Sequence, residues 1–240
     1  MGDVASIEKI SGLFGIAGPL GEVNIGTVIH TWMVISFIIA FSLLVRFRLK
    51  AIPDRLQAFA EVYVKAFDTL VRDTLEFEVI AKNRRYLPLI ATLFIFVFLS
   101  NISGFFPFME EPTSDLNTTL GLGIMGFFIA TGSSIFFKGI WGFFKEMYLT
   151  IEAEGFIKWI INFPFFLLNI IGEFGKVASI SFRLFGNIKG GTIIFMVVTW
   201  LIKYFVLPLP MILYFGFFAG TVQAFVFTML TLTYIAVAVK

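Results

Sequence analysis

Arg183 lies inside an apolar run that extends from Trp159 to Ile202. An arginine at the centre of a membrane-spanning helix costs from about 2.5 kcal/mol on insertion scales to above 10 kcal/mol in simulation. Such a group persists where a partner, dipoles or water stabilise it, which marks it as a functional candidate. The polar residues around it are few. Lys176 is seven positions back, on nearly the same helical face, and Asn187 is one turn forward, beside it. Glu173 is ten positions back, about 15 Å along a straight helix axis and too far for direct contact. Lys189 and Thr192 lie beyond Asn187, and Gln223 is the main polar group of the final apolar segment, after Thr221 and before Thr228, Thr231 and Thr233. Glu173 is thus the only acid the chain offers Arg183 in the membrane interior, and Lys176 is nearer to it. A buried cation so placed needs water, dipoles or an acid from another chain. Charge counting therefore points to a partner subunit that brings a carboxylate to Arg183, while Asn187 and Gln223 can supply dipoles.

Each of these residues also has a purely structural reading. Lys189 and Lys203 can snorkel to a helix end. Glu173 and Lys176 can form a local i,i+3 pair. Asn187 and Gln223 can serve as interhelical hydrogen-bond donors and acceptors, and the threonines can bond back to their own helix. Asp115 can cap a helix N-terminus. His30, near one end of the first apolar segment, reads as interfacial.

The elements that must position these groups follow from composition. Of 240 residues, 58% are hydrophobic and 14% are charged, and mean hydropathy is +0.93. Soluble domains carry about 25% charged residues, so the chain reads as an all-α polytopic membrane protein of about five transmembrane helices, a single membrane domain over 1–240. The expected spans are 23–45, 86–109, 116–137, 159–202 and 209–239. Two amphipathic interfacial segments are expected at 53–75 and 138–158. In the first, Leu56, Phe59, Tyr63, Phe67 and Leu70 recur at spacings of three and four opposite a charged face. In the second, Trp141, Phe144, Tyr148 and Ile151 oppose Lys145, Glu146, Glu152 and Glu154. As one helix the 159–202 segment would be about 66 Å long against a hydrocarbon core of about 30 Å. It is therefore tilted, bent or folded into a hairpin, and Pro164 and several glycines permit bending or close packing. The tilted fourth span and the fifth form a pair.

Loop charges orient the chain. Arg46, Arg48, Lys50 and Arg55 follow the first span, and Lys82, Arg84 and Arg85 precede the second, which emerges at Glu110, Glu111 and Asp115. Basic loops remain cytoplasmic, which places the N-terminus outside and the C-terminus, at Lys240, inside; Lys203 is the one discordant charge. Splitting the fourth segment would give six crossings and invert the last helix. The first 22 residues lack the basic region and apolar core of a cleavable signal peptide. No basic stripe suggests nucleic acid. With no cysteine and only His30, Cys-ligated and His-rich metal centres are excluded, and no cofactor is expected.

Several stretches resemble one family. Ser181 to Asn187, with Lys176 before and Gly190-Gly191 after, resembles the signature of subunit a of F-type ATP synthases. Gln223 to Thr231 resembles that family's last-helix motif, Pro112 to Thr119 its outer-loop motif, and His30-Thr31-Trp32 its first span. The resemblance implies a non-catalytic, ion-translocating stator subunit in a bacterial plasma membrane. Its partners would be the ring of c subunits, the peripheral-stalk b subunits and the lipid bilayer, and it would carry H+ or Na+ through two offset half-channels. Arg183 matches the stator arginine that faces the ring carboxylate, so the missing anion would belong to the ring. Asn187 and Gln223 match positions along the ion path, Asp115 and Asn117 would sit near the outer entrance, and Glu173 is the candidate for the cytoplasmic exit beside Lys176. Many relatives carry an acid or histidine at the positions of Thr192 and Gly216; this chain has neither, so its outer half-channel must use other polar groups or water. Two other function classes fit the sequence less well. An independent secondary transporter or channel fits poorly, since no internal repeat is present and Arg183 has no counter-ion. A membrane-embedded enzyme fits worse, given one histidine, no cysteine and no clustered acids in the spans.

Overall fold

The computed structural model describes residues 25–75, 86–105, 109, 111–148, 157–202, 210–211 and 213–239. Outside them lie the expectations for the N-terminal tail, for Lys82, Arg84, Arg85, Glu110, Ile151, Glu152, Glu154 and Lys203, and for Lys240. Among the described residues the regular structure is all helical, with no strand. The α-helices are α1 (Ile25–Phe47), α2 (Arg55–Thr74), α3 (Tyr86–Ile102), α4 (Leu116–Tyr148), α5 (Ile157–Ile202) and α6 (Gly220–Val239). A π-helical segment, Leu213–Ala219, leads into α6. Four stretches are long and apolar enough to cross a membrane: 26–47, 116–145, 162–201 and 213–239; α3 is a shorter apolar helix.

α1 is apolar all round and largely exposed, as a lipid-facing helix should be. The corner into α2 is closed by Gln57, whose Oε1 accepts the Lys50 N–H at 3.0 Å and whose Nε2 donates to the Lys50 carbonyl at 3.0 Å. α2 is amphipathic: Phe67 and Val71 are buried, and Tyr63 donates its hydroxyl to the Ala91 carbonyl of α3 at 2.6 Å. Phe59 continues the expected stripe in sequence but stays 68% exposed, beyond the reach of α3.

The second span ends sooner than 109. α3 stops at Ile102 and a 3-10 turn occupies Ser103–Phe105. The reason is a tight reversal: a Cβ at Gly104 would collide with the Glu111 side chain, so the returning loop lies directly on a residue without one. α4 continues from the third span into the start of the second amphipathic segment. It is redirected at Gly139, whose φ of 76° and ψ of 165° are non-helical and suit only glycine. Beyond that kink Trp141 is 87% exposed and Phe144 is exposed beside Lys145, the pattern of an interfacial arm.

α5 is a single helix of 46 residues with Pro164 inside its N-terminal part, about 69 Å long at 1.5 Å per residue. It shows no break, so the hairpin and the six-crossing alternative find no support within it. Two apolar clusters join the helices. Phe67, Val71, Tyr86, Ile90, Ala130, Leu232 and Ile235 tie α2, α3, α4 and α6; Leu93, Val97, Ile180, Leu184, Ile188, Ala224 and Phe227 tie α3, α5 and α6. α4 meets α5 so closely that a Cβ at Gly123 would collide with Ser181 Oγ. Small residues at such contacts let backbones approach, which is the main attraction between helices in lipid. Gly123→Ala is therefore expected to destabilise the bundle by about 1–3 kcal/mol, seen as a lower unfolding temperature in detergent. Gly121→Ala, where a Cβ meets nothing within 4 Å, should not.

Candidate functional site

Arg183 is exposed on α5 and makes no ion pair or hydrogen bond among the described residues. Its neighbour Leu184 is fully buried against α3 and α6, so α5 presents the guanidinium away from its own bundle. Several small residues lie on this outward face on both sides of it. Gly172, Gly175, Ser179, Gly186 and Gly190 fall within about a quarter turn of Arg183 at 100° per residue. Ser179 and three of the glycines are exposed. A Cβ at any of the four glycines would meet nothing within 4 Å.

Two cavities flank this position along α5. The first, about 310 Å³, is lined by Glu173, Lys176, Val177 and Ile180 of α5, Ser134 and Met147 of α4, and Thr231 and Tyr234 of α6. Lys176 Nζ pairs with Glu173 Oε1 at 2.5 Å and lies 5.6 Å from the centroid of the Tyr234 ring. Asn169, one turn before Glu173 and also in the lining, donates Nδ2 to the Met147 carbonyl at 2.9 Å, which ties the kinked end of α4 to the cavity mouth. The i,i+3 pair is thus formed, and it stands in an accessible cavity.

The second cavity, about 810 Å³, opens at the other end. α5 contributes Phe185, Ile188, Lys189, Gly191 and Thr192; the α3–α4 loop contributes Glu111, Ser114 and Asp115; α1 contributes Thr27, and Phe215 and Gly216 come from the π-helical segment. Asp115 caps α4: its Oδ1 accepts the Asn117 N–H at 2.9 Å while its carbonyl accepts the Thr119 N–H at 3.2 Å. The Thr192 hydroxyl donates to the Ile188 carbonyl at 3.0 Å. Glu111 sits in the loop outside the spanning helices, and burial pushes its carboxyl up to about 7, with Lys189 opposing the shift. A buried chain of hydrogen bonds fixes the loop: Thr113 Oγ1 donates to Asn101 Oδ1 at 2.7 Å, and Asn101 Nδ2 donates to the Gly220 carbonyl at 2.8 Å.

Of the residues singled out in the sequence, Glu173 and Lys176 share the first cavity, and Asp115 and Thr192 share the second. Arg183, Asn187, Asn117 and Gln223 line neither. Asn187 is half-buried one turn from Arg183. Gln223 is buried beside Ala224, which packs in one cluster with Leu184, so it lies near the level of Arg183 without a hydrogen bond to it. Glu111 is the residue that sequence reasoning took only as a loop charge. Its one signal is its position next to Pro112, four residues before Asp115. The arrangement is an exposed cation midway along one helix, with one polar cavity toward each end. Lys176 precedes Arg183 by about 10 Å and Lys189 follows it by about 9 Å along the axis.

The family model described as ATP synthase A chain matches residues 28–236. The chain is 37% identical over 219 residues to ATP synthase subunit a of Moorella thermoacetica, covering 90% of this chain and 92% of that one. It is 34% identical over 245 residues to the sodium ion specific ATP synthase subunit a of Propionigenium modestum, covering 96% and 77%. It is 34% identical over 217 residues to ATP synthase subunit a of Geobacter sulfurreducens, covering 90% and 88%.

Proposed function

The chain belongs to the ATP synthase subunit a family, and on that premise we propose that it is the ion-translocating stator of an F-type rotary complex. It catalyses no bond chemistry itself; it forms two half-channels against a ring of c subunits and couples proton or sodium flow to rotation and ATP synthesis. The observation that carries this reading is Arg183, outward-facing and unpaired among the described residues, between two cavities offset along α5.

Each part then has a role. With the N-terminus outside and the C-terminus cytoplasmic in a bacterial plasma membrane, the Lys189–Thr192 cavity faces outward and the Glu173–Lys176 cavity faces the cytoplasm. An ion enters by the outer cavity, past Asp115 and Asn117, and neutralises a ring carboxylate. After nearly a full turn the carboxylate releases it into the inner cavity, where Glu173 and Lys176 offer an exit. Arg183 attracts the newly ionised carboxylate and keeps the two aqueous spaces apart, with Asn187 and Gln223 supplying dipoles at its level. The glycine face lets ring helices pass closely. Peripheral-stalk b subunits would hold the subunit still against the ring's torque.

The absence of cysteine makes a clean test. Ser179→Cys and Gly190→Cys, each combined with a cysteine beside the ring carboxylate, should form disulfides with the ring on oxidation. Ile188→Cys, on the buried side of α5, should not. Cross-linking from Ile188 alone would overturn the assigned face.

A further inference from the structure

We propose that Glu111 is the proton-relay carboxylate of the outer half-channel, working from the α3–α4 loop across the cavity from Thr192 and Gly216. The inference rests on the two-half-channel reading and adds to it the group that carries the ion.

The outer cavity needs an exchangeable group. Its walls on α5 and the π-helical segment offer Thr192, whose hydroxyl bonds its own helix, Gly216, which has no side chain, and Lys189, a cation rather than a carboxylate. Among the described residues the carboxylates at this cavity are Asp115 and Glu111. Asp115 is engaged in capping α4. The Glu111 carboxyl has no hydrogen bond or ion pair among the described residues, Lys189 included. It is nevertheless held in place. Gly104 lies against its side chain, the Ser114 N–H bonds its carbonyl at 2.9 Å, and Thr113, two residues on, is locked through Asn101 to the Gly220 carbonyl. Packing and hydrogen bonds around a side chain hold it in a defined position.

Among the described residues the charged groups facing Glu111 are Asp115 on its own loop and Lys189 on α5; Thr27 of α1 and Met211, Phe215 and Gly216 before α6 are uncharged. With its carboxyl raised to about 7, Glu111 takes and releases protons near neutral pH, which suits a relay. The balance is simple. A proton from outer water forms an O–H bond on the Glu111 carboxylate. That bond breaks as the proton passes, through water in the cavity, to the ionised ring carboxylate, and Glu111 returns to its anion. Lys189 across the cavity favours that anion and so resets the site.

The test uses the whole complex in proteoliposomes, with ATP synthesis measured as outer pH is varied at fixed inner pH and potential. Co-purification of the ring and the catalytic head checks assembly. Glu111→Gln should lower synthesis by about 100-fold and flatten the outer-pH dependence between about pH 6 and 8. Glu111→Asp should retain synthesis with its outer-pH midpoint moved down. Glu111→Gln with Thr192→Glu, which moves the carboxylate across the same cavity, should restore much of the rate. Native rates and a native outer-pH profile in Glu111→Gln would overturn the relay and leave the two-half-channel reading standing, since that reading fails only if Arg183 proves dispensable. If Glu111→Gln does not assemble, a native midpoint in Glu111→Asp overturns the relay. Synthesis that follows a sodium gradient and ignores outer pH also overturns it.

Discussion

Arg183→Ala is expected to abolish ion-driven ATP synthesis, by at least about 100-fold, while the complex still assembles and its soluble head still hydrolyses ATP. Folding should be spared because the guanidinium is exposed on α5 and bonds nothing among the described residues; its removal leaves no buried partner unpaired. Coupling should be lost because the two cavities are separated along α5 only by the stretch from Ile180 to Phe185. On the proposed stator reading, without a fixed cation there nothing would draw a ring carboxylate into its charged form at the crossing point, and nothing would repel an ion slipping from one cavity to the other. Each charge that slips dissipates about 2.3 kcal/mol per 100 mV of membrane potential. Proteoliposomes holding the variant should therefore show a faster passive leak as well as absent synthesis. Arg183→Lys keeps the charge but replaces a planar fork by a strongly hydrated point charge, so it should block the leak better than it supports synthesis. Near-native synthesis in Arg183→Ala would remove the basis of the stator reading.

How far the chain could be read in advance depends on how local each feature's cause is. The apolar runs became helices because a backbone in lipid must satisfy its own hydrogen bonds, and that cause acts residue by residue. The Glu173–Lys176 pair was likewise legible, because i,i+3 proximity belongs to any helix. The early end of α3 was not, since it follows from Glu111 folding back on Gly104, a contact between residues on either side of a turn. The kink at Gly139 reads in sequence like any glycine in an apolar stretch, and only its positive φ distinguishes it. Glu111 was hidden for the same reason as the end of α3. A charge at a span's edge normally meets water, and its burial over the second cavity arises when the loop, α1 and α5 converge. Charge counting around Arg183 needed only helix spacing to show that no acid of its own apolar run lies closer in sequence than Glu173, ten positions back.

Gly186→Leu is expected to leave the subunit as stable as before and to cut synthesis by about tenfold. Within the chain the substitution meets no obstacle, because a Cβ at Gly186 faces open space. Replacing a helix-interior glycine by leucine also favours the helix by nearly 1 kcal/mol. The cost falls on the partner. Helices pack 8–10 Å apart according to the side chains between them, and on the proposed reading leucine on the face bearing Arg183 would hold the passing ring helix away. Moving a guanidinium–carboxylate pair from about 4 to about 7 Å weakens its attraction from about 4 to about 2.4 kcal/mol at an effective dielectric constant near 20. That difference is worth about a factor of ten to twenty in a rate that depends on capturing the ionised carboxylate. Gly121→Leu on α4 adds the same side chain to another open glycine away from Arg183, and should leave synthesis unchanged. Measuring both variants for synthesis in proteoliposomes and for thermal stability in detergent separates the two causes. Equal losses in both would mean that added bulk disturbs the bundle in general, whereas a loss confined to Gly186 with stability kept would mean that this face is where the rotating partner passes.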